Sequence, residues 1–363
     1  MAKVLRVGIA GLRRGSDFLS SIHACEDMAL EAVCEPEAAR VEELQGRLGE
    51  ARAYESYEEM LDGGLDAVIV ATPMHLHVPQ SVEALRRGIH VLSEVSAAVS
   101  LEQCEELVAA VRGSSAKYMM GENCCYMQPF MLVKEMVRAG VFGEVYYAEA
   151  DYVNESRWWW APGGWQDKWL FGRRGGTYTT HPLGTVLNWM DDRAVTVSCL
   201  GTGAHVEPSR CVDDTSIMLC TTAKGGLVKI RQDAMSPRPS TGNYAALQGT
   251  TGVYEAPRHV GDTHRVYLAG AGADRRGKEW RPLSDFEREY LPRYWEGASA
   301  EKGEVYGGSD YHVLRAFVDC VLNDTEPPID VYRALDFTVP GLLSEVSVKQ
   351  GGAPVDVPDF RLL

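Results

Sequence analysis

Tyr178 and His181 stand three residues apart in Gly175-Gly176-Thr177-Tyr178-Thr179-Thr180-His181-Pro182-Leu183-Gly184, just ahead of the apolar run Val186, Leu187, Trp189 and Met190. That run predicts a helix. Positions three apart on a helix share a face, so both polar tips can reach one pocket. Histidine titrates near neutral pH and is the usual general base; a tyrosine beside it can donate or accept a second proton. The same pair reads equally well as a buried His and Tyr satisfied by backbone partners. The choice between the two rests on the chain that precedes them.

That chain alternates apolar strands and helices. Strands are expected at Val4 to Ala10, Ala29 to Cys34, Asp66 to Ala71, His90 to Ser93 and Lys117 to Gly121. Helices are expected at Ser16 to Cys25, Ala38 to Leu48, Val78 to Arg87 and Leu101 to Val111. Near-continuous apolar strands with intervening helices imply a parallel sheet covered on both faces. The first strand runs into Gly8-Ile-Ala-Gly11-Leu-Arg13-Arg14-Gly15-Ser16. A dinucleotide site needs glycines where the backbone turns tightly and approaches a pyrophosphate at a helix N-terminus. Gly11 and Gly15 fit; Arg13 takes the middle glycine's place. Glu35 follows 24 positions after Gly11, at the end of the second strand. Its carboxylate suits the adenosine ribose hydroxyls and repels a 2′-phosphate, which favours NAD over NADP. Arg13 and Arg14 argue the other way, as ready partners for that phosphate. The competing reading is a degenerate nucleotide fold that has lost its ligand, with Arg13 as its argument. Thr72, Pro73 and His77, after the third of these strands, are expected at the cofactor, His77 through loop packing and helix capping. His75-x-His77 has no carboxylate or cysteine nearby to complete a ligand set, so no metal is expected.

Composition bounds the partners. The 363 residues are enough for two domains, and 45% hydrophobic with 24% charged residues is ordinary for a globular protein. A net charge of −15 argues against nucleic acid and anionic membrane, which need a basic face. The nine cysteines are odd in number and lack Cys-x-x-Cys spacing, so they read as reduced thiols of a cytoplasmic protein. No apolar run is long enough to span a bilayer, and the N-terminus goes straight into a strand.

Thr72-Pro73, His77 and Gly88-Ile-His90-Val-Leu-Ser-Glu94 resemble the Gfo/Idh/MocA oxidoreductases over essentially the whole chain, as do Gly307-Gly308-Ser-Asp310-Tyr311, Pro328-Ile-Asp330-Val-Tyr332 and Pro354-Val-Asp-Val-Pro-Asp-Phe360. The resemblance implies an α/β protein with an N-terminal Rossmann domain and a C-terminal α/β domain built on a large, mostly antiparallel sheet. We expect residues 1–125 to bind NAD. We expect 126–363 to bind substrate and oligomerise, with a C-terminal helix packing back on the first domain. Most such dehydrogenases carry Glu-Lys-Pro where this chain has Glu94-Val95-Ser96. A narrower branch, the NAD-dependent glycosidases of glycoside hydrolase family 109, carries Glu-Val-Pro there. It also has motifs similar to Glu122-Asn123-Cys124-Cys125-Tyr126, Trp165-Gln-Asp-Lys-Trp169 and Tyr178-Thr-Thr-His181-Pro-Leu-Gly184. By that resemblance Glu94, Glu122, Asn123, Tyr126, Tyr178 and His181 fall on cofactor-contacting or catalytic positions. Ser96 and Ser240 depart from the branch's usual residues.

From about Gly143 strands follow one another with short turns: Val145 to Val153, Val195 to Gly201, Thr215 to Thr221, Leu227 to Met235 and Tyr244 to Gln248. This predicts an antiparallel sheet, one face of which suits self-association into a homo-oligomer. Five tryptophans fall between Trp158 and Trp169 among Pro and Gly. Flat aromatic faces suit sugar rings, and Trp165 and Trp169 are expected to face a carbohydrate substrate; an apolar plug between domains or subunits is the other reading. Arg173 and Arg174 are expected to form surface salt bridges. Gly261 to Arg281 reads as a loop, Asp310 to Val321 as a helix, and Tyr332 to Val348 as a helix interrupted by Pro340.

The resulting expectation is an NAD-dependent enzyme acting by hydride transfer at a ring carbon of a sugar or glycoside. His181 takes the hydroxyl proton, Tyr178 and Tyr126 position the sugar or relay protons, and Glu94 holds the cofactor's ribose. If the ketone is released, the reaction is a dehydrogenation. If it is kept, the neighbouring C–H is acidified, the glycosidic bond is eliminated, water adds and the hydride returns. A non-catalytic dinucleotide-binding sensor is the alternative from a different class.

Overall fold

Five apolar runs of the first third, joined by a short exposed strand at Arg52–Tyr54 that the sequence reading did not include, pair into one parallel sheet. In the computed structural model, which describes residues 4–155, 173–238, 243–270, 279–295 and 308–363, β1 (Leu5–Ala10) leads directly into a one-turn helix α1 (Leu12–Gly15) and then α2 (Leu19–Ala24). There follow β2 (Met28–Cys34), α3 (Ala38–Leu48), β3 (Arg52–Tyr54), α4 (Tyr57–Leu61), β4 (Ala67–Val70), α5 (His77–Arg86), β5 (His90–Ser93), α6 (Leu101–Arg112) and β6 (Tyr118–Met120). The strand order β3-β2-β1-β4-β5-β6 reverses direction between β1 and β4. In such sheets ligands bind at that point, outside the carboxyl ends of the strands. All four residues of β4 are buried, as a strand covered on both faces requires. Helix α6 is capped at its start, where Ser100 Oγ accepts from Gln103 N at 3.2 Å while Gln103 Oε1 accepts from Val99 N at 3.0 Å.

The expectation of a helix from Ser16 onward is corrected. The helical turn begins at Leu12, immediately after Gly11, so Arg13, Arg14 and Gly15 belong to the first turn and not to a loop. Gly11 makes this possible with φ +83; an added Cβ would stand 2.7 Å from the Ala71 carbonyl oxygen. At Gly15 an added Cβ would stand 2.5 Å from Ile9 Cγ2, so α1 lies directly on β1.

The second sheet is built on β7 (Val145–Val153), after helix α7 (Gln128–Arg138). Helix α8 (Thr180–Met190) is followed by β8 (Ala194–Gly201), β9 (Thr215–Thr222), β10 (Leu227–Asp233), β11 (Tyr244–Gly249), β12 (Gly252–Glu255), β13 (Arg265–Leu268), β14 (Arg281–Pro282) and the short α9 (Glu287–Tyr290). Nine strands run in the order β14-β13-β12-β11-β7-β10-β9-β8-β15, with β15 (Val355–Asp356) at one edge. Only the β7–β10 pair is parallel. Ala148 and Ala150, at alternate positions of β7, are small and buried, and α8 packs over β7 and β11. Trp189 of α8 donates from Nε1 to the Phe130 carbonyl at 2.9 Å and meets the Phe130 ring edge-on.

Two expectations for this region are corrected. The stretch from Gly261 to Arg281 contains β13, because Arg265–Leu268 pairs antiparallel with β12. The last long helix is not interrupted: α11 (Val331–Lys349) continues through Pro340. Helix α10 (Ser309–Leu322) precedes it. By internal contacts the chain falls into two units. One comprises Met1–Tyr126, Gly297–Leu335 and Phe360–Leu363; the other comprises Met127–Glu296 and Asp336–Asp359. Within the first unit, α10 packs on α2 and on the single turns at Ser16–Phe18 and Asn123–Tyr126.

Candidate active site

The first unit presents its polar groups at the carboxyl ends of its strands. Glu35, at the end of β2, is 8% exposed. Its Oε2 accepts from Leu12 N at 2.8 Å and its Oε1 from Glu37 N at 3.1 Å. The carboxylate thus braces the glycine turn and, with about four acceptor sites in all, retains capacity for ribose hydroxyls. At the end of β4, Thr72 Oγ1 donates to Gln80 Oε1 at 2.6 Å and Pro73 starts the next turn. His77 is buried, with Nε2 at 2.8 Å from the Thr72 carbonyl and Nδ1 at 2.9 Å from the Ser96 carbonyl. Burial pushes its pKa down despite those two oxygens, so the ring is neutral and donates to one of them. His77 therefore ties the Thr72-Pro73 turn to the Val95–Ser96 peptide, which is cis.

Arg14 is not disposed as a ligand for a 2′-phosphate. Its Nε donates to Glu94 Oε1 at 2.8 Å, and its two terminal nitrogens donate to Asp310 at 2.7 and 2.8 Å. Asp17 lies at 3.2 Å, and the guanidinium sits 4.4 Å over the Phe18 ring. In this arrangement the carboxylates take up the fork that a phosphate would need. Arg13, by contrast, pairs with Glu37 at 3.1 Å on the surface. Glu94 Oε2 accepts from Val95 N at 3.1 Å. Asn123 is also engaged, its amide donating to Asp310 Oδ1 at 3.2 Å. Glu122 is buried and accepts from Cys124 N at 3.2 Å; Tyr126, which ends the first segment of this unit, is buried in the same turn.

In the second unit the opening stretch is held from both sides. Arg174 pairs with Asp213 at 2.7 Å, and Gly175 N donates to the same carboxylate at 2.7 Å. Burial would raise the Asp213 carboxyl, but Arg174 and the Gly175 and Gly203 amides outweigh it and hold it below the usual range. Gly176 N donates to Ser344 Oγ of α11 at 2.8 Å. Gly341 lets this stretch lie close to α11, since an added Cβ would stand 2.6 Å from Thr179 Oγ1.

The pairing expected from spacing is present, by a different route. Only His181 is helical; Tyr178 lies before the cap residue Thr179. Tyr178 turns back so that its hydroxyl is 3.3 Å from His181 Nε2, with the two rings edge to face. Tyr178 N donates to Gln232 Oε1 at 3.1 Å. Tyr152 was missed by sequence reasoning. Its ring centroid is 5.3 Å from His181 and 5.8 Å from Tyr178. The period of two in β7 could have found it: Tyr152 follows Ala148 and Ala150 on the face that α8 covers, and its neighbour in register on β10 is Gln232. Asp310, in the Gly308-Ser309-Asp310-Tyr311 stretch, is a further buried partner that local sequence does not single out. The expected substrate residues Trp165 and Trp169, with Ser240 and Gly307, lie outside the described residues.

Two family models cover most of the chain. That for the oxidoreductase family, NAD-binding Rossmann fold, matches residues 5–122, and that for the GFO/IDH/MocA C-terminal domain matches 130–255. The chain belongs to the Gfo/Idh/MocA oxidoreductase family. Within this family it stands near one branch, because the model of the glycosyl hydrolase 109 C-terminal domain matches residues 211–362. A glycosyl hydrolase family 109 protein of Shewanella sp. strain W3-18-1 is 28% identical over 98% of this chain and 85% of its own length. An alpha-N-acetylgalactosaminidase of Shewanella oneidensis is 28% identical over 99% of this chain and 85% of its own length. The crystal structure of an oxidoreductase domain protein from Kribbella flavida shares the fold, with a TM-score of 0.84, 18% identity, and 99% of this chain and 100% of that one covered. In this Gfo/Idh/MocA protein the NAD-binding Rossmann fold spans residues 5–122, which lie in the first unit. Its residues fit the dinucleotide: a glycine turn at positive φ, a helix start beside it, the strand-order reversal, and Glu35 at the end of β2.

Proposed function

We propose that the protein is an NAD-dependent enzyme acting at a ring carbon of a sugar or glycoside, with His181 as the group that takes the substrate hydroxyl's proton. The observation that carries this reading is the Tyr178–His181 pair, 3.3 Å apart, in a chain whose other unit is built to hold NAD. Bound NAD supplies a hydride acceptor. The chain's own residues supply the proton chemistry and the orientation. Tyr178 fixes the tautomer and aim of the imidazole, and in return is fixed by Gln232 through its backbone amide. Glu35 and Glu94 serve the cofactor's two riboses, and Tyr126 helps position the sugar. Trp165 and Trp169 are assigned to the sugar by their match to the family 109 motif.

A second reading has its own support. Val95 stands where dehydrogenases of the family carry a lysine, and residues 211–362 match the family 109 domain. Both favour cleavage of a glycoside with no net redox change, in which NAD stays bound through the cycle. The polar sheet face bearing Glu149, Lys229 and Arg231 is assigned to self-association of the second unit, and nine cysteines outside any disulfide favour a reducing compartment such as the cytoplasm.

The test is to purify the protein, assay the released cofactor, and offer nitrophenyl glycosides without added NAD. Phenolate release that is lost in His181→Ala supports the glycosidase. NADH absorbance with free sugars and added NAD supports the dehydrogenase. Bound NAD with neither signal over a broad panel overturns the enzymatic reading in favour of a binding protein.

A further inference from the structure

We propose that Arg14 and Asp310 form a latch that positions Glu94 for the nicotinamide half of the cofactor, so that Arg14 is a positioning residue and not a phosphate ligand. The inference rests on the assignment of NAD to this unit and extends it to two residues.

Three observations within the first unit carry it. First, Asp310 is 1% exposed and takes both terminal nitrogens of Arg14 in a two-pronged pair, at 2.7 and 2.8 Å. Such forks fix orientation as well as charge. Second, the third nitrogen of the same guanidinium points at Glu94 Oε1, at 2.8 Å. A planar group held by two contacts on one edge has little freedom to aim the remaining N–H elsewhere. Third, Asp310 is itself held, by Asn123 Nδ2 at 3.2 Å, and the far face of Arg14 rests on Phe18. The chain of contacts Asn123–Asp310–Arg14–Glu94 thus ends on one carboxylate at the carboxyl end of β5. In this sheet Glu35, at the end of β2, marks the adenosine half, and β4 and β5 lie across the reversal on the other half. A device that aims Glu94 therefore acts on the nicotinamide side and leaves the adenosine side alone.

That asymmetry gives the test. NAD+ and ADP are each titrated by calorimetry into the full-length protein, stripped of cofactor, as wild type, Arg14→Met, Asp310→Asn, Glu94→Gln and the Arg14→Met/Glu94→Gln pair, with Tm recorded for each. Arg14→Met and Asp310→Asn are each expected to weaken NAD+ about tenfold while ADP changes less than about twofold. The double variant is expected to match Glu94→Gln alone, because Arg14 acts through Glu94. Arg14→Lys restores the charge without the fork and is expected to recover little. Equal weakening of NAD+ and ADP by Arg14→Met overturns the proposal in favour of a phosphate contact, and so do losses that multiply in the double variant. If Arg14→Met does not fold, the near-isosteric Asp310→Asn decides: unchanged NAD+ affinity sinks the latch. Failure of the wild type to bind NAD+ at all would instead sink the cofactor assignment.

Discussion

The Tyr178 hydroxyl lies 3.3 Å from His181 Nε2, although Tyr178 is outside the helix that carries His181. The pair is held by tertiary anchors, Asp213 on one side and Ser344 on the other, and not by helical periodicity. For catalysis the expected order follows from roles. His181→Ala lowers kcat by about two to four orders of magnitude, and Tyr178→Phe by less, since it leaves the imidazole in place. Steady-state kinetics on a glycoside or sugar that the assay panel identifies would read this; equal losses would mean that Tyr178 itself moves the proton.

Tyr152 packs its ring against both members of the pair. Tyr152→Leu is expected to reduce kcat about tenfold by loosening the imidazole, with a smaller effect on NAD affinity. Single-turnover rates beside a calorimetric Kd separate the two effects.

Gly11→Ala should fail at the backbone. The residue sits at φ +83 and its new methyl would stand 2.7 Å from the Ala71 carbonyl oxygen. A cost of about 1–3 kcal/mol in stability is expected, together with loss of NAD binding. Denaturant unfolding and cofactor titration would show both; a variant with wild-type affinity would contradict the turn's role.

Cofactor preference follows from Glu35 and from the engagement of Arg14. With a carboxylate at the ribose and Arg14 tied to Asp310, NADP+ is expected to bind at least about tenfold more weakly than NAD+. Glu35→Ser should narrow the ratio. Comparable affinities in the wild type would refute this.

Two buried histidines predict an acid-sensitive fold. Burial pushes His312 down to about 4, and moves His77 the same way. Both are neutral when folded but titrate near 6.5 when unfolded. As pH falls below about 6.5 the unfolded chain gains protons that the folded one refuses, so stability drops until about pH 4, where folded His312 also titrates. His312 alone accounts for about 2 kcal/mol between pH 7 and pH 5. Urea unfolding at the two pH values, with His312→Gln as the comparison, should show a flatter dependence in the variant.

Much of the fold was legible because it is written in local patterns. The buried run of β4 and the alternation in β7 each encode their surroundings directly. The boundaries that failed have tertiary causes. A helix starts at Leu12 because Gly11 and Glu35 together close the turn, and Glu35 follows another strand. Pro340 sits inside a helix although it lacks an N–H, and β13 is a strand because β12 lies beside it. For the candidate site, residue type and spacing singled out Tyr178 and His181, which lie side by side, and Glu35, which braces the glycine turn. They did not find Tyr152, whose neighbours come from a helix and a strand distant in sequence. Nor did they find the partners of Arg14, because nothing local to it indicates Asp310.

Arg14 and Asp310 are 296 positions apart. The ribosome therefore delivers every strand of the parallel sheet, and then all of the second sheet except its edge strand β15, before the acid that seats Arg14 emerges. Until then the nascent nucleotide unit has its six strands without its final clasp. A fragment ending at Tyr126 would inherit the same deficit. Maturation of the cofactor site is thus a late event in this protein's synthesis, although the sequence that most resembles a cofactor site comes first.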